Sequence, residues 1–195
     1  MAPSAADKCQ RSRDPVIRED GSIEIPLTRG LVAVVSAEAY SLVRDYRWCA
    51  QWNRCTKSFY AYRNRLTGEP TGPTRVGMHV SVVRPLHGML VDHVNHDTLD
   101  NRSCNLRPCT HSQNMQNRRS FAFASGTSLF KGVSWNKKDR RWRAQIMAPS
   151  PTGGDGTKLF LGNYTREEDA ARAYAEAARV LHGEFAVTDT NERRN

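Results

Sequence analysis

Between Met89 and Asn114 the chain changes character three times, and this stretch restricts the fold more than any other. Met89 to Val94 is a short apolar run closed by the pair Asp92-His93, and it predicts a strand. Asn95, Asp97, Asp100 and Asn101 are turn formers, so a polar loop follows before order resumes at Asn105-Leu106-Arg107. Thr110 and Gln113 stand at capping-box spacing, which predicts a helix beginning at Thr110 with Asn114 in its first turn. Strand, loop, strand and helix would gather Asp92, His93, Asn105 and Asn114. Neighbouring strand residues point to opposite faces, so Asp92 and His93 can share a site only where the strand ends or is distorted. Taken singly, these residues read as a polar strand end, turn asparagines and a cap. Their order and spacing favour a site.

That order resembles the ββα-metal motif of the HNH endonucleases, in the branch written roughly D-H-(x)-N-L-R-(x)-N. The resemblance implies a metal-assisted DNA nuclease. Phosphodiester hydrolysis needs an activated water and a cation to neutralise the charge that builds on the phosphoryl and leaving oxygens. A carboxylate and an amide oxygen suit a hard cation, so Asp92 and Asn114 are the expected ligands of Mg²⁺ or Mn²⁺. His93, neutral near pH 7, is the expected general base. Asn105, by the resemblance, fixes the loop and orients the His93 ring. The chain departs from the family where Asn95-His96-Asp97 replaces N-G-N and where Val80 replaces the common basic residue after Met78-His79.

Charge points the same way. Lys and Arg outnumber Asp and Glu by 29 to 20, a formal net charge of +9, which favours a polyanionic partner such as double-stranded DNA. No run approaches the ~18 apolar residues of a membrane span. Met1 to Asp20 lacks the apolar centre of a signal peptide and reads as a mobile basic tail, so an intracellular protein is expected. The five cysteines, Cys9, Cys49, Cys55, Cys104 and Cys109, include no C-x-x-C pair. A disulfide framework is therefore not expected, nor a structural zinc at Cys104 and Cys109, because no second pair completes a tetrahedral site.

Upstream, Ser22 to about Leu86 is strand-like and aromatic. It resembles the region preceding the motif in intron- and phage-encoded HNH homing endonucleases, through Ile25-Pro26-Leu27-Thr28-Arg29-Gly30, Asp45-Tyr46-Arg47-Trp48 and Met78-His79. Its tyrosines and tryptophans read as core, Lys57, Arg63, Arg65 and Arg75 as backbone contacts, and His79 as structural.

Downstream, Phe130 to Trp135, Arg141 to Met147 and Lys158 to Gly162 predict three strands. In the second, Trp142, Ala144 and Ile146 share one face, while Arg143, Gln145 and Met147 share the other. Thr165 and Glu168 form a capping box before a helix whose stripe is Ala170, Tyr174, Ala177, Ala178 and Leu181, ended by Gly183. Trp142, Ile146, Leu159 and Leu161 are expected beneath that stripe. The unit resembles an AP2/ERF DNA-binding domain through Lys131-Gly132-Val133, Trp142-Arg143-Ala144-Gln145-Ile146, Leu161-Gly162-Asn163-Tyr164 and Glu167 to Tyr174. The resemblance implies a three-stranded sheet on one helix, with the outer face in the major groove. By position it puts Lys131, Arg143, Gln145 and Lys158 on that face, with Trp135, Lys137 and Arg140 beside it. Ser134 and Asn136 stand where the plant factors favour arginine, so their target sequence does not carry over.

The expected architecture is α+β: a basic tail over 1–21, an HNH domain over 22–119 with its ββα-metal core at about 89–119, a linker over 120–128, an AP2-like reader over 129–189 and a tail over 190–195. No obligate protein partner is evident, and a monomer is expected. The rivals are a catalytically inactive DNA-binding regulator and a zinc-stabilised interaction module.

Overall fold

Alternating apolar residues build a small antiparallel sheet first. Val16–Ile17 (β1) pairs with Ile23–Pro26 (β2), which pairs with Val32–Val35 (β3). Part of the stretch read as a mobile tail is thus a strand. The computed structural model describes residues 14–68, 74–118, 128–150 and 156–187, so most of the expected linker, 120–127, lies outside the described residues. The chain divides into two compact units, Met1–Cys109 and Thr110–Asn195. Both mix helices with antiparallel sheets, an α+β architecture.

In the first unit, Ala37–Tyr40 (α1) follows Ser36, whose hydroxyl contacts that of Ser103 and does not cap the helix. Cys49–Asn53 (β4), Ser58–Asn64 (β5) and Arg75–Gly77 (β6) form a second sheet with β5 central. Met78–Val83 (α2) leads to a hairpin of Leu90–His93 (β7) and Leu106–Cys109 (β8). One core joins the sheets: Ile23, Ile25, Ala33, Val35, Val43, Trp48, Ala50, Ala61 and Met78 are buried together. Each large side chain among them contributes roughly 1.5–3 kcal/mol on full burial. Trp48 donates its indole N–H to the Val43 carbonyl at 2.9 Å, so its polar edge is satisfied.

The second unit begins with His111–Asn117 (α3). The predicted capping box is formed: Gln113 N donates to Thr110 Oγ1 at 3.2 Å, and Thr110 N donates to Gln113 Oε1 at 2.8 Å. Val133–Asn136 (β9), Arg141–Ala148 (β10) and Thr157–Tyr164 (β11) form an antiparallel sheet with β10 central. Glu167–His182 (α4) lies on it, burying Ala170, Ala171, Tyr174 and Ala178 against Val133, Ala144 and Ile146. Gly132 has φ +71, and a Cβ there would run into the Tyr174 ring, so close packing of α4 requires glycine.

Two expectations are corrected here. Arg166, not Thr165, holds the N-cap position of α4, and no side chain caps it. Glu167, Glu168 and Asp169 fill the first turn, where carboxylates favour the positive end of the helix dipole. Leu159 is 38 % exposed, because the alanine stripe ends over Ile146 and Leu161 and does not reach it.

Candidate nuclease and DNA-binding sites

The β7–β8 pairing sets Asp92 opposite Arg107 and His93 opposite Leu106. Asp92 and Arg107 are both largely buried, and Asp92 Oδ2 accepts from Arg107 Nε at 3.0 Å and from a terminal guanidinium nitrogen at 2.8 Å. This two-pronged pair orients the carboxylate in a site where a lone buried charge would be costly. β7 ends at His93, which meets the condition that Asp92 and His93 can share a site only at a strand end. The His93 ring is buried, and burial lowers its pKa; the Asn101 amide and the carboxylates of Asp92, Asp97 and Asp100 oppose that shift without reversing it. The ring is therefore neutral at pH 7, the state a general base needs.

The loop after His93 is held from several sides. Asn105 Oδ1 accepts from Asn95 N at 2.9 Å, and Asn105 Nδ2 donates to the Asp100 carbonyl at 2.7 Å, so Asn105 pins both ends of the loop. Asp100 takes two side-chain bonds from Arg102, each 2.8 Å, and one from Asn95 at 2.9 Å. Burial pushes the Asp100 carboxyl up, but these bonds outweigh it and hold the group below its ordinary value. Asn101 is fully buried, and its backbone N–H donates to the Val34 carbonyl at 2.7 Å.

His96 occupies the middle of Asn95-His96-Asp97 with φ 65, the left-handed region that favours glycine. This accounts for the glycine of N-G-N at that place. His96→Gly is expected to stabilise the first unit by up to about 1 kcal/mol, raising its thermal midpoint by a few degrees. A lower midpoint would mean that contacts of the His96 side chain outweigh the backbone relief.

A second histidine stands beside the first. The rings of His79 and His93 lie 5.3 Å apart, with Tyr60 5.7 Å from His79 and 6.0 Å from His93. Burial, with the nearby His93, depresses the His79 pKa to about 3. Both imidazoles are thus uncharged at neutral pH. Nearby, the Cys109 thiol is buried and pushed up to about 11, so it stays protonated, while Cys104 is exposed. Among the described residues, no three His, Cys, Asp or Glu side chains cluster to hold a metal.

In the second unit, Asn114 sits in α3, its N–H donating to the Thr110 carbonyl at 3.0 Å. On the sheet, Arg143 and Gln145 turn away from the helix, opposite buried Ala144 and Ile146, and Phe160 pairs with Gln145 on the same side. Phe160 is 59 % exposed, and the Arg143 guanidinium lies 5.8 Å from its ring centroid. Lys158, across from Met147, is also exposed. Lys137 and Arg140 stand on the β9–β10 turn, Arg140 with φ 52. Asp139 in that turn accepts from Asn136 at 2.7 Å and approaches Arg143 at 3.6 Å. Trp135, expected beside that face, and Lys131, expected on it, make contacts of another kind. Trp135 pairs with Trp142 and packs edge-on against it at 5.0 Å, on the helix side of the sheet with Val133. Lys131 Nζ donates to the carbonyls of Met115 at 3.1 Å, Gln116 at 2.5 Å and Arg118 at 2.7 Å, closing the C-terminal end of α3. Burial lowers its pKa to about 8, with Arg118 adding to the shift.

Residues 84–116 match the family model described as HNH endonuclease. A 78-residue stretch is 37 % identical to the AP2-like ethylene-responsive transcription factors AIL7 and AIL6 of Arabidopsis thaliana, covering 40 % of this chain. A 73-residue stretch, 37 % of this chain, is 38 % identical to the AP2-like ethylene-responsive transcription factor CRL5 of Oryza sativa subsp. japonica. The chain joins an HNH-like segment to an AP2-like one. It spans 15 %, 13 % and 11 % of the lengths of these three relatives.

The HNH-like segment contains Asp92, His93, Asn105 and Asn114, the four residues named from sequence. The structure brings the first three into one hairpin and loop of the first unit, while Asn114 belongs to the second. Sequence reasoning missed Arg107 and Asn101 and read His79 as structural. Arg107 stands in the N-L-R triplet, and the register of β7 against β8 would have placed it opposite Asp92. The Met78-His79 pair marked the homing-endonuclease resemblance, but nothing local gave the histidine a chemical role, and it lies outside the HNH-like segment. In the AP2-like part it missed Phe160, which the alternation of β11 puts on the polar face.

Among the described residues no helix is long and apolar enough to cross a membrane.

Proposed function

We propose that this protein is a site-specific DNA endonuclease, in which the HNH-like segment hydrolyses a phosphodiester and the AP2-like part selects the sequence. The observation that carries the reading is a buried, neutral His93 closing a strand next to an Arg107-braced Asp92, within a segment matched to HNH endonucleases. His93 would accept the proton of the attacking water. Arg107 keeps the Asp92 carboxylate in one orientation, and Asn105 keeps the loop that covers the strand end in one conformation. The donor set fits a hard divalent cation: a carboxylate has lone pairs beyond those Arg107 uses, and Asn114 adds an amide oxygen. Asp92 and Asn114 would hold Mg²⁺ or Mn²⁺, which supplies charge neutralisation at the phosphoryl and leaving oxygens. Phosphate contacts give affinity with little sequence information, so a separate reader of base edges is a physical need. The net charge of +9 suits double-stranded DNA as the partner.

The test is cleavage-site mapping on a random-sequence duplex library with Mg²⁺. Arg143→Ala is expected to cost about 1–3 kcal/mol of binding and to relax one position of the sequence logo, as loss of a base-edge contact does. If it instead weakens all sequences alike and lowers the salt slope by about one unit, Arg143 grips phosphate. The second reading, a DNA-binding regulator without catalysis, draws on the relatives' being transcription factors. Selective binding with no cleavage under any divalent cation would establish it.

A further inference from the structure

The second face of the β4–β5–β6 sheet is not core. Ala50 and Ala61 point into the apolar cluster, so the residues alternating with them point away. The pairings Gln51 with Tyr60, Asn53 with Ser58, Tyr62 with Gly77 and Asn64 with Arg75 put two tyrosines, three carboxamides and an arginine on this face. The His79 ring covers Gly77 so closely that a Cβ there would lie 2.5 Å from His79 Cε1. His79 Nδ1 is buried and meets no hydrogen-bond partner among the described residues.

A cavity of about 650 Å³ opens here, and its lining sets Gln51, Asn53, Arg54, Tyr62, Arg75 and His79 beside the apolar Trp52, Val76 and Val80. None of the described residues lining it is a carboxylate. Guanidiniums grip phosphate, carboxamides pair with base edges, and aromatic rings stack on bases. A volume of this size accepts a small ligand. The geometry points to a subsite for one nucleotide of the DNA strand, flanking the bond that is cut. It lies one ring from the catalytic candidate, since His79 stands between Tyr62, at 6.3 Å, and His93, at 5.3 Å. The assignment deepens the nuclease reading and rests on it for the identity of the strand.

The experiment uses the full chain and duplexes carrying a single 2-aminopurine at successive positions across the preferred binding site, selected by binding from a random-sequence library, in EDTA so that binding is read without cleavage. One position is expected to change its fluorescence several-fold on binding. The double variant Arg54→Ala/Arg75→Ala, at two exposed side chains, should abolish that change and raise the Kd about tenfold, and Gln51→Ala should weaken it. No responsive position, or a response unchanged in the double variant, overturns the subsite. Binding of deoxynucleoside monophosphate that the double variant loses, with DNA binding unaltered, would identify a free nucleotide as ligand and overturn the DNA assignment. The nuclease reading fails separately: a wild-type chain that shows the fluorescence response but never cuts with Mg²⁺ keeps the subsite and loses catalysis.

Discussion

His93→Ala is expected to lower DNA cleavage by about 10²–10⁴-fold while leaving the affinity for the duplex within a few-fold. The reason is positional. His93 is the last residue of β7, its ring is buried against His79 and Tyr60, and burial favours the neutral form that can take a proton from water. Protonation of a base removes it from use, so the wild-type kcat/KM should rise with pH and level off before neutrality. Because the His93 pKa is lowered from 6.5, the inflection belongs below that value. The alanine variant should lose this inflection along with the rate. Single-turnover cleavage from pH 4.5 to 8 checks both. A His93→Ala protein that cuts as fast as wild type would end the general-base assignment.

Asp92→Ala should abolish cleavage and also destabilise the first unit, by about 3–5 kcal/mol, and the two effects can be separated. Arg107 has a largely buried side chain, 14 % exposed, and its guanidinium is committed to Asp92 through two hydrogen bonds. Removing the carboxylate leaves a buried positive charge without its counterion, which is the source of the stability loss. In the double variant Asp92→Ala/Arg107→Met that charge is gone, so stability should largely return. Cleavage should not return, because the oxygen donor is still missing. Urea titration and a plasmid-nicking assay on wild type, single and double variants give the comparison. EDTA should mimic the loss of cleavage in wild type without the loss of stability. Full activity in EDTA would remove the metal mechanism, and rescue by Zn²⁺ but not by Mg²⁺ or Mn²⁺ would move the site to the softer-ligand class.

The elements legible from the sequence were those whose causes are local. The capping box at Thr110 and Gln113, the alternation in β2 and β10, the alanine stripe of α4 and the end of β7 at His93 all depend on neighbours within four or five residues. The HNH and AP2 resemblances, too, were carried by short ordered spacings, and the comparisons match both. Even locally the reading slipped where two starts compete, as at Thr165 and Arg166.

What lay beyond the sequence were contacts between residues far apart in the chain, because their partners depend on strand register and on which face of a sheet is buried. Register alone put Arg107 across from Asp92 and Trp135 against Trp142. The same lysine that the AP2 resemblance assigns to DNA turns instead to three carbonyls at the end of α3, since their uncompensated dipoles attract a buried ammonium. Tyr60 and Tyr62, read as core, face away from it because Ala61 between them is the side chain that fits the tight packing beneath β5. Residue order and spacing carried the HNH resemblance; only the tertiary packing brought His79 over Gly77 and beside His93, two segments that share no local signal.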